Sequence, residues 1–300
     1  DGATPVTLVE NTYNDLSELS QKKIGNNIQQ VDYAYNIRGW LTKINNGAAL
    51  SGNDQFGIEL QYDLAGQYNG NIGKMIWKSL GGTNVNSSSQ EFDYTYDALS
   101  RLKTASYLTN STNFDNGGFN VGGNDNGGIA YDANGNILHL HRYQQVFNGS
   151  PTMIDDLYYN YANGNQLSAV KDSATVNKSE GFYDLNPATV TDYLYDANGN
   201  MTKDENKGIG SISYNHLNLP ERVSFGDGRY VKYLYDAAGI KLQKEAKDSV
   251  GTITVTNYLA GKHYKDEGDG SGSKLEFFQH AEGRVVVGSS FDYEYNLTDH

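Results

Sequence analysis

The sequence contains no cysteine among its 300 residues, and this absence removes three kinds of chemistry. A chain without thiols forms no disulfide, no thiolate metal site and no cysteine nucleophile. The cellular compartment stays open, because a chain of this length can bury enough core to persist outside the cell without disulfides. Proline is also scarce, with four residues, which fits strands in which most residues donate a backbone N–H.

Positive charge and long apolar runs are scarce as well. The 23 Lys and Arg face 36 Asp and Glu, which gives a net charge of −13. A nucleic-acid backbone is neutralised by a basic face, so we expect no nucleic-acid partner. No segment approaches the ~18 apolar residues of a membrane helix, so we expect no membrane insertion. The chain begins at Asp1 without a signal peptide, and we expect it to be a mature or trimmed piece.

Leu, Ile, Val and Phe are few for a folded protein, whereas tyrosine is abundant. Leu, Ile, Val and Phe supply 64 of the 300 residues, close to the share of about 20% below which a charged chain is expected to be disordered. The sequence adds 24 tyrosines and 34 glycines. If the chain has a core, tyrosine must supply much of its contact area.

A short phrase that begins with tyrosine recurs along the chain. Its clearest copies start at Tyr131 and Tyr195 and read Tyr-Asp-Ala-Asn-Gly-Asn. Looser copies start at Tyr13, Tyr35, Tyr62, Tyr96, Tyr161, Tyr214, Tyr235 and Tyr295. The phrase is fixed while the segments between copies vary in length, which is typical of a repeat protein.

Each copy predicts a strand, a turn and a second strand. A preceding Tyr-x-Tyr places two phenol rings on one face of a strand. The following Asp or Asn can accept a bond from its own backbone two residues on and start the turn. Glycine four residues after the tyrosine supplies a positive φ. The predicted structural residues are Tyr35, Tyr96, Tyr131, Tyr161, Tyr195, Tyr235, Gly39, Gly135, Gly199 and Gly239.

No segment has a sustained helical period, so the pattern predicts an all-β fold. Successive antiparallel hairpins would add to one long, curving sheet, since a single hairpin is marginal in water. Tyrosines that stack across neighbouring strands would link the repeats. We expect a thin, extended sheet with little conventional core.

The phrase Tyr-x-Tyr-Asp-x-x-Gly-Arg-Leu resembles the YD repeats of RHS proteins, which also occur in teneurins. Residues 33–41 and 257–261 are similar to RHS proteins of Bacteroidota, and residues 293–300 resemble the start of the RHS core motif. The resemblance covers about residues 8–300, with a YD-repeat array over 1–250 and the start of the core region over 251–300.

The resemblance implies a hollow shell built by a continuous spiralling sheet. In toxin-delivery members of the family, this shell encloses a variable C-terminal domain. Some members cleave that domain off with aspartates of the core, but the matching positions lie beyond His300 and the activity is not carried over.

Two histidines are the strongest candidate for hidden chemistry. His139 and His141 lie two residues apart on a predicted strand, with Asp132 nearby in sequence. Two imidazoles on one face could begin a metal site. The spacing places no third ligand, so an ordinary strand face is the favoured interpretation and no metal or cofactor is assigned.

Other polar segments have weaker signals. Residues 124–127 and 266–270 are rich in oxygen ligands that suit calcium, yet neither matches a complete calcium loop, and solvated turns are favoured. Residues 113–128 read as an insertion loop. Glycosylation patterns occur at Asn86, Asn110, Asn148, Asn177 and Asn296, and at Asp172-Ser173-Ala174 and Asp248-Ser249-Val250.

No nucleophile elbow, metalloprotease helix or phosphate loop is present in the sequence, so we expect no enzyme. The favoured hypothesis is a structural segment of an exported RHS-type shell, secreted or at the cell surface, that encloses or displays a C-terminal cargo or toxin domain. Its partners would be the rest of the same polypeptide and the export machinery. The alternative is a surface adhesin whose exposed loops bind glycans or neighbouring cells. The tyrosine ladders could also offer an aromatic platform for sugars, but 16 of the 24 tyrosines fall in the repeats, which favours a structural role.

Overall fold

The computed structural model describes residues 7–64, 66–80, 88–109, 117–122, 128–146, 149–175, 180–184 and 191–296. Within these ranges the regular elements are β-strands, and the strand pairs are antiparallel. The same ranges contain no helix that is long and apolar enough to cross a membrane. The all-β fold of successive antiparallel hairpins, which the repeat predicts, is confirmed.

The first sheet has eight strands that follow one another in chain order. Each inner strand therefore pairs with the strand before it and the strand after it. The strands are β1 (Val9–Tyr13), β2 (Leu19–Ile24), β3 (Gln29–Tyr35), β4 (Leu41–Ile44), β5 (Phe56–Gln61), β6 (Lys74–Ser79), β7 (Gln90–Tyr96) and β8 (Leu102–Thr109).

The second sheet has four strands, again neighbours in chain order. These strands are β9 (Ala130–Tyr131), β10 (Ile137–Val146), β11 (Gly149–Ala162) and β12 (Gln166–Asp172). Strands β10 and β11 are the long pair of this sheet, and the histidine candidates lie on β10.

The third sheet has eleven strands with the same consecutive order. They are β13 (Tyr193–Tyr195), β14 (Met201–Asp204), β15 (Ile209–Tyr214), β16 (Pro220–Phe225), β17 (Tyr230–Tyr235), β18 (Lys241–Lys247), β19 (Ile253–Leu259), β20 (Lys262–Asp266), β21 (Lys274–His280), β22 (Gly283–Val287) and β23 (Phe291–Tyr295). The strands on the two sides of residue 250, β18 and β19, pair directly within this sheet.

Short bridges carry the ladder between successive sheets. Val121 forms antiparallel bridges to Ala105 of β8 on one side and to Arg142 of β10 on the other. At the next interruption, the backbone N–H of Asp192 donates to the carbonyl of Ser168 in β12 over 2.8 Å. Residues 117–122 of the predicted insertion loop thus include a one-residue strand, a difference from the sequence-based expectation; residues 113–116 and 123–127 lie outside the described residues.

The chain divides into two compact units. The first comprises the described residues up to Tyr158 together with Asp172–Phe182, and the second comprises Tyr159–Lys171 together with Tyr183–Asn296. In the first unit the most deeply buried large side chains are Tyr107, Ile24, Ile44 and Asp155. In the second unit the buried apolar residues include Tyr193 and Val285.

Aromatic rings from neighbouring strands contact one another in each unit. In the first unit Trp77 of β6 stacks on Phe92 of β7 with ring centroids 5.2 Å apart, and Phe92 meets Tyr107 of β8 edge-on at 5.6 Å. In the second unit His263 of β20 stacks on Phe277 of β21 at 4.0 Å. Cross-strand ring pairs of this kind stabilise a sheet where aliphatic residues are few.

Candidate functional site

One Asp or Asn side chain organises the turn in most of the repeat copies. In the copy at Tyr131, Asp132 Oδ1 accepts from the backbone N–H groups of Asn134 at 2.9 Å and Asn136 at 2.8 Å. The backbone closes the same turn, since the N–H of Gly135 donates to the carbonyl of Asp132 over 3.2 Å. The same pair of side-chain bonds forms at Asn14, Asn36, Asp97, Asp196, Asn215, Asp236 and Asp248.

The residue four places after the repeat tyrosine has the left-handed backbone that closes the turn in most copies. The φ angle there is 74° at Gly39, 91° at Gly135, 84° at Gly199 and 83° at Gly239. Copies without glycine adopt the same conformation, at Ser17 (63°), Ser100 (61°) and Asn218 (57°). A short polar side chain tolerates this region because it can bond locally, so the turn does not depend on glycine.

The copy at Tyr161 is one residue shorter, and its turn differs. Asn163 and Gly164 have φ angles of 50° and 81°. Two successive positive angles are typical of a two-residue hairpin loop. This strand pair, β11 and β12, therefore reverses more tightly than the other repeats.

Hydrogen bonds within the turns favour the charged form of their carboxyl groups. The side-chain amide of Asn136 is the main cause that lowers the pKa of Asp132, and Asn200 does the same for Asp196. At Asp97 the backbone N–H of Arg101 is the main cause, and the pKa is lowered there too. A carboxylate that accepts several N–H donors titrates below its ordinary range.

The repeat tyrosines bond to the repeat before them. Their phenol hydroxyl donates to a backbone carbonyl of the preceding hairpin, across 13 to 29 residues of sequence. The bonds are Tyr35 to Leu19 (3.0 Å), Tyr62 to Leu41 (2.8 Å), Tyr96 to Ile72 (2.8 Å), Tyr131 to Leu102 (2.7 Å), Tyr195 to Leu167 (2.8 Å), Tyr214 to Met201 (2.7 Å) and Tyr235 to Pro220 (3.1 Å). We call these bonds the tyrosine links.

The acceptor of a tyrosine link occupies a defined place in the preceding repeat. Leu41, for example, lies six residues after Tyr35, and Leu102 lies six residues after Tyr96. Ile72 departs from this spacing, because a longer segment separates it from Tyr62. In most copies the acceptor is the first residue of the return strand. The same position of the motif therefore accepts the tyrosine link from the next copy.

A β-bulge accompanies the acceptor. Tyr35 pairs with Leu41 whereas Ala34 pairs with Lys43, so Thr42 is an extra residue on the return strand. The same shift occurs next to Tyr13, Tyr96, Tyr195, Tyr214 and Tyr235. A bulge disrupts the ladder locally, which explains why the adjacent carbonyl can accept a phenol from another hairpin.

Burial of the phenols shifts their pKa values upward. Burial raises the pKa of Tyr35, Tyr96, Tyr131 and Tyr195. The phenol at the other position of a Tyr-x-Tyr pair can lie deeper, and burial raises the pKa of Tyr94 and of Tyr193 to about 12. The neutral, hydrogen-bonding form is thus the form that the folded chain favours.

Same-strand ring contacts also occur in the Tyr-x-Tyr pairs. The ring centroids of Tyr233 and Tyr235 are 6.2 Å apart, and those of Tyr293 and Tyr295 are 6.5 Å apart. The sequence predicts that stacked tyrosines connect the repeats. The structure adds the tyrosine links, which sequence reasoning missed; the recurring residue six places after each tyrosine was the available signal.

The two candidate histidines meet a carboxylate from the neighbouring strand. In the register of β10 and β11, His141 lies opposite Asp156 and His139 lies opposite Tyr158. The distance to Asp156 Oδ1 is 2.7 Å from His139 Nε2 and 3.0 Å from His141 Nε2. Asp132, the acid noted near the pair in sequence, instead organises its own repeat turn. We call His139, His141 and Asp156 the histidine cluster.

A different ion pair occupies the opposite face of the same two strands. Arg142 Nε donates to Asp155 Oδ2, and the backbone N–H of Phe182 donates to Asp155 Oδ1 over 2.5 Å. Successive residues of a strand point to opposite faces, so this pair is separated from the histidine cluster by the sheet. Asp155 is fully buried, and a buried carboxylate needs such partners.

The remaining sequence candidates are turns or lie outside the described residues. In the loop of residues 266–270, Asp266 Oδ1 accepts from the N–H of Gly268 over 2.9 Å. Asp172 is buried, and Asp248 organises an exposed turn. Asn296 is exposed. Residues 124–127 and the acceptor sites Asn86, Asn110, Asn148 and Asn177 lie outside the described residues.

A cleft of about 620 Å³ lies in the second unit. Asn206, Lys207, Asp227, Arg229 and the ring of Tyr183 are among its lining residues. Tyr183 is 59% exposed. An exposed ring beside amide and charged groups is a surface that a polar ligand can contact.

The chain matches no model of a known protein family and no curated protein sequence. Its likeness is to solved structures of toxin complexes. A crystal structure of TcdB2-TccC3 without its hypervariable C-terminal region matches 96% of this chain, with a TM-score of 0.62 and 15% identity. A crystal structure of TcdB2-TccC3-Cdc42 matches 96% with a TM-score of 0.59 and 15% identity.

A third structure, the Photorhabdus luminescens Tc holotoxin pore, matches 93% of this chain with a TM-score of 0.51 and 13% identity. This chain spans 13% of the matched TcdB2-TccC3 chain and 15% of the chains in the other two structures. At these identities the likeness concerns the fold alone. It supports the RHS-like fold that the tyrosine repeat predicts: nearly the whole of this all-β chain shares the fold of part of a toxin-complex protein.

Proposed function

We propose that the chain is a non-catalytic wall segment of an exported RHS-type shell that encloses or displays a C-terminal cargo domain. The shell would be secreted or held at the cell surface. The chain's partners would be further repeats and the cargo of the same polypeptide, with the export machinery as a transient partner.

The observation that carries this proposal is the recurrence of the tyrosine links. Each of the seven links among the described residues joins a hairpin to the hairpin before it, so these repeats are held by their neighbours. Repeats that contact only their neighbours extend in one direction. Such a sheet can be lengthened by adding copies, which is what a wall around a cargo requires.

The structural likeness supports the proposal at the level of the fold. One matched structure is of a protein without its hypervariable C-terminal region, and another is of a holotoxin pore. Both descriptions concern the matched proteins. A chain with the same fold, and with a length of 13% to 15% of theirs, is well suited to be one segment of a comparable wall.

Protease protection in the polypeptide encoded by the complete gene tests the proposal. We expect the segment that follows residue 300 to resist a protease in the intact polypeptide and to be cut quickly when it is expressed alone. The free segment is the matched control. Equal cleavage rates in the two forms, or a gene that encodes no further domain, would contradict enclosure of a cargo.

A second candidate function is glycan binding, which the cleft at Tyr183 favours. Its ring is exposed, and sugar binding suits an aromatic face beside polar groups that fix orientation. A glycan array should show specific binding by the wild-type chain that Tyr183→Ala removes. Tyr68→Ala, at a tyrosine that is 68% exposed outside the cleft, is the matched control. Absence of binding by the wild-type chain refutes this candidate.

A further inference from the structure

We propose that His139, His141 and Asp156 form a binding site for a single divalent transition-metal ion of the zinc type, which joins strands β10 and β11. The ligand atoms of the three residues all lie within 4.8 Å of one another. Two imidazole nitrogens and one carboxylate oxygen are a ligand set that Zn²⁺ uses in proteins. The set comes from two strands, so the ion would bridge them.

The ligands are sheltered from solvent. The exposed fraction of the side chain is 13% for His139, 10% for His141 and 17% for Asp156. Three protein ligands leave one position of a tetrahedral ion for water. Because the three side chains are still partly exposed, a water molecule can reach this position and an ion can enter the site.

The choice of ion follows from the donors. Ca²⁺ and Mg²⁺ prefer oxygen ligands, and this cluster offers one carboxylate. Imidazole suits zinc and its neighbours in the first transition row. An ion at the cluster takes the lone pair of each Nε2, so each imidazole then holds its remaining proton on Nδ1.

The cluster is held in place by contacts that do not need an ion. The backbone N–H of Asp156 donates to Asp172 Oδ1 over 3.0 Å, and the backbone carbonyl of Asp156 accepts from the N–H of Ser173 over 2.8 Å. The ring of Tyr158 stacks on His139 with centroids 4.2 Å apart. Ligands oriented by such neighbours bind a metal more tightly than mobile ligands do.

The nearest cation on these strands does not compete for the site. Arg142 is adjacent to His141 in sequence, but its guanidinium bonds to Asp155. The register of β10 and β11 pairs Arg142 with Asp155 and His141 with Asp156. Because alternate residues face opposite sides of the sheet, the carboxylate of Asp156 stays available to an ion on the histidine face.

Calorimetric titration of the chain, purified without a polyhistidine tag, tests the site. We expect one equivalent of Zn²⁺ to bind, and we expect no comparable binding of Ca²⁺. His139→Ala and Asp156→Asn should each weaken Zn²⁺ binding by at least about tenfold. The matched control His216→Ala, at an exposed histidine outside the cluster, should leave the affinity unchanged.

Two further readouts keep the test decisive. Co²⁺ bound in place of Zn²⁺ should give the visible spectrum of a four- or five-coordinate ion, and His139→Ala should abolish it. Zn²⁺ should raise the Tm of the wild-type chain because an ion that binds only the folded state stabilises it. Circular dichroism identifies any variant that fails to fold. If His139→Ala fails to fold, Asp156→Asn decides the test, because the Asn side chain has nearly the same shape as that of Asp.

Two outcomes would overturn the proposal. The first is a wild-type chain that binds no Zn²⁺, which would make the cluster a hydrogen-bonded network. The second is binding that survives both His139→Ala and Asp156→Asn, which would place the ion elsewhere. Neither outcome bears on the shell proposal, whose test is protease protection of the cargo.

Discussion

The tyrosine links predict that removal of a single phenol oxygen weakens the chain. Tyr195→Phe keeps the ring and deletes the bond to the carbonyl of Leu167, which is 2.8 Å long and spans 28 residues. Both residues are half-buried. A net hydrogen bond contributes about 0.5–1.5 kcal/mol, and a carbonyl left without a partner costs more where water cannot reach it. We expect a loss of about 1 kcal/mol in the free energy of unfolding.

Urea unfolding, followed by circular dichroism, measures this loss. Tyr195→Phe should lower the urea midpoint with an unchanged slope, which is the signature of altered stability. Tyr68→Phe, at a strongly exposed tyrosine, is the matched control and should leave the midpoint unchanged. Equal midpoints for the wild-type chain and Tyr195→Phe would refute the idea that the link holds neighbouring repeats together.

We also expect the losses in the free energy of unfolding from two tyrosine links to add. Tyr35 bonds to Leu19 and Tyr195 bonds to Leu167, so the two links share no partner. The free-energy effects of substitutions at independent sites usually add. Tyr35→Phe with Tyr195→Phe should therefore lose about twice the free energy of one change, about 2 kcal/mol.

Two further predictions concern pH and packing. Burial raises the pKa of Tyr94 and Tyr193 to about 12, against an ordinary value of 10.0. The stability that their neutral form contributes is therefore complete below pH 10.0 and is lost as the pH rises towards 12. The urea midpoint should fall over this pH range while tyrosinate absorbance rises. A urea midpoint that stays constant over this pH range would contradict the prediction. A Cβ at Gly181 would lie 2.4 Å from Asp155 Oδ1 and 2.5 Å from a backbone carbonyl, so Gly181→Ala should cost about 1–3 kcal/mol in urea unfolding. Gly226→Ala, where a Cβ meets no atom within 4 Å, is the control, and equal midpoints for the two variants would contradict the clash.

The all-β fold follows from local signals in the sequence. The phrase at Tyr131 contains both the acceptor that starts a turn, Asp132, and the glycine that closes it, Gly135. These signals act within six residues, so they can be read without knowledge of distant parts of the chain. The order of the strands follows in turn, because short turns join antiparallel neighbours.

The contacts between hairpins could not be predicted in the same way. The bond from Tyr131 to Leu102 depends on the register between two hairpins and on a bulge beside the acceptor. Asp156, which completes the histidine cluster, likewise reaches His139 and His141 only through the pairing of β10 with β11. Sequence spacing on one strand provides two ligands, whereas the third depends on the partner strand.

Electron cryomicroscopy of the polypeptide encoded by the complete gene tests whether this chain is a shell segment. We expect strands β1 to β23 to form part of the wall of a closed chamber, with consecutive hairpins joined by the tyrosine links and with density for further polypeptide inside. An isolated sheet with solvent on both faces, and a C-terminal region that lies outside it, would contradict the claim that this chain is a shell segment.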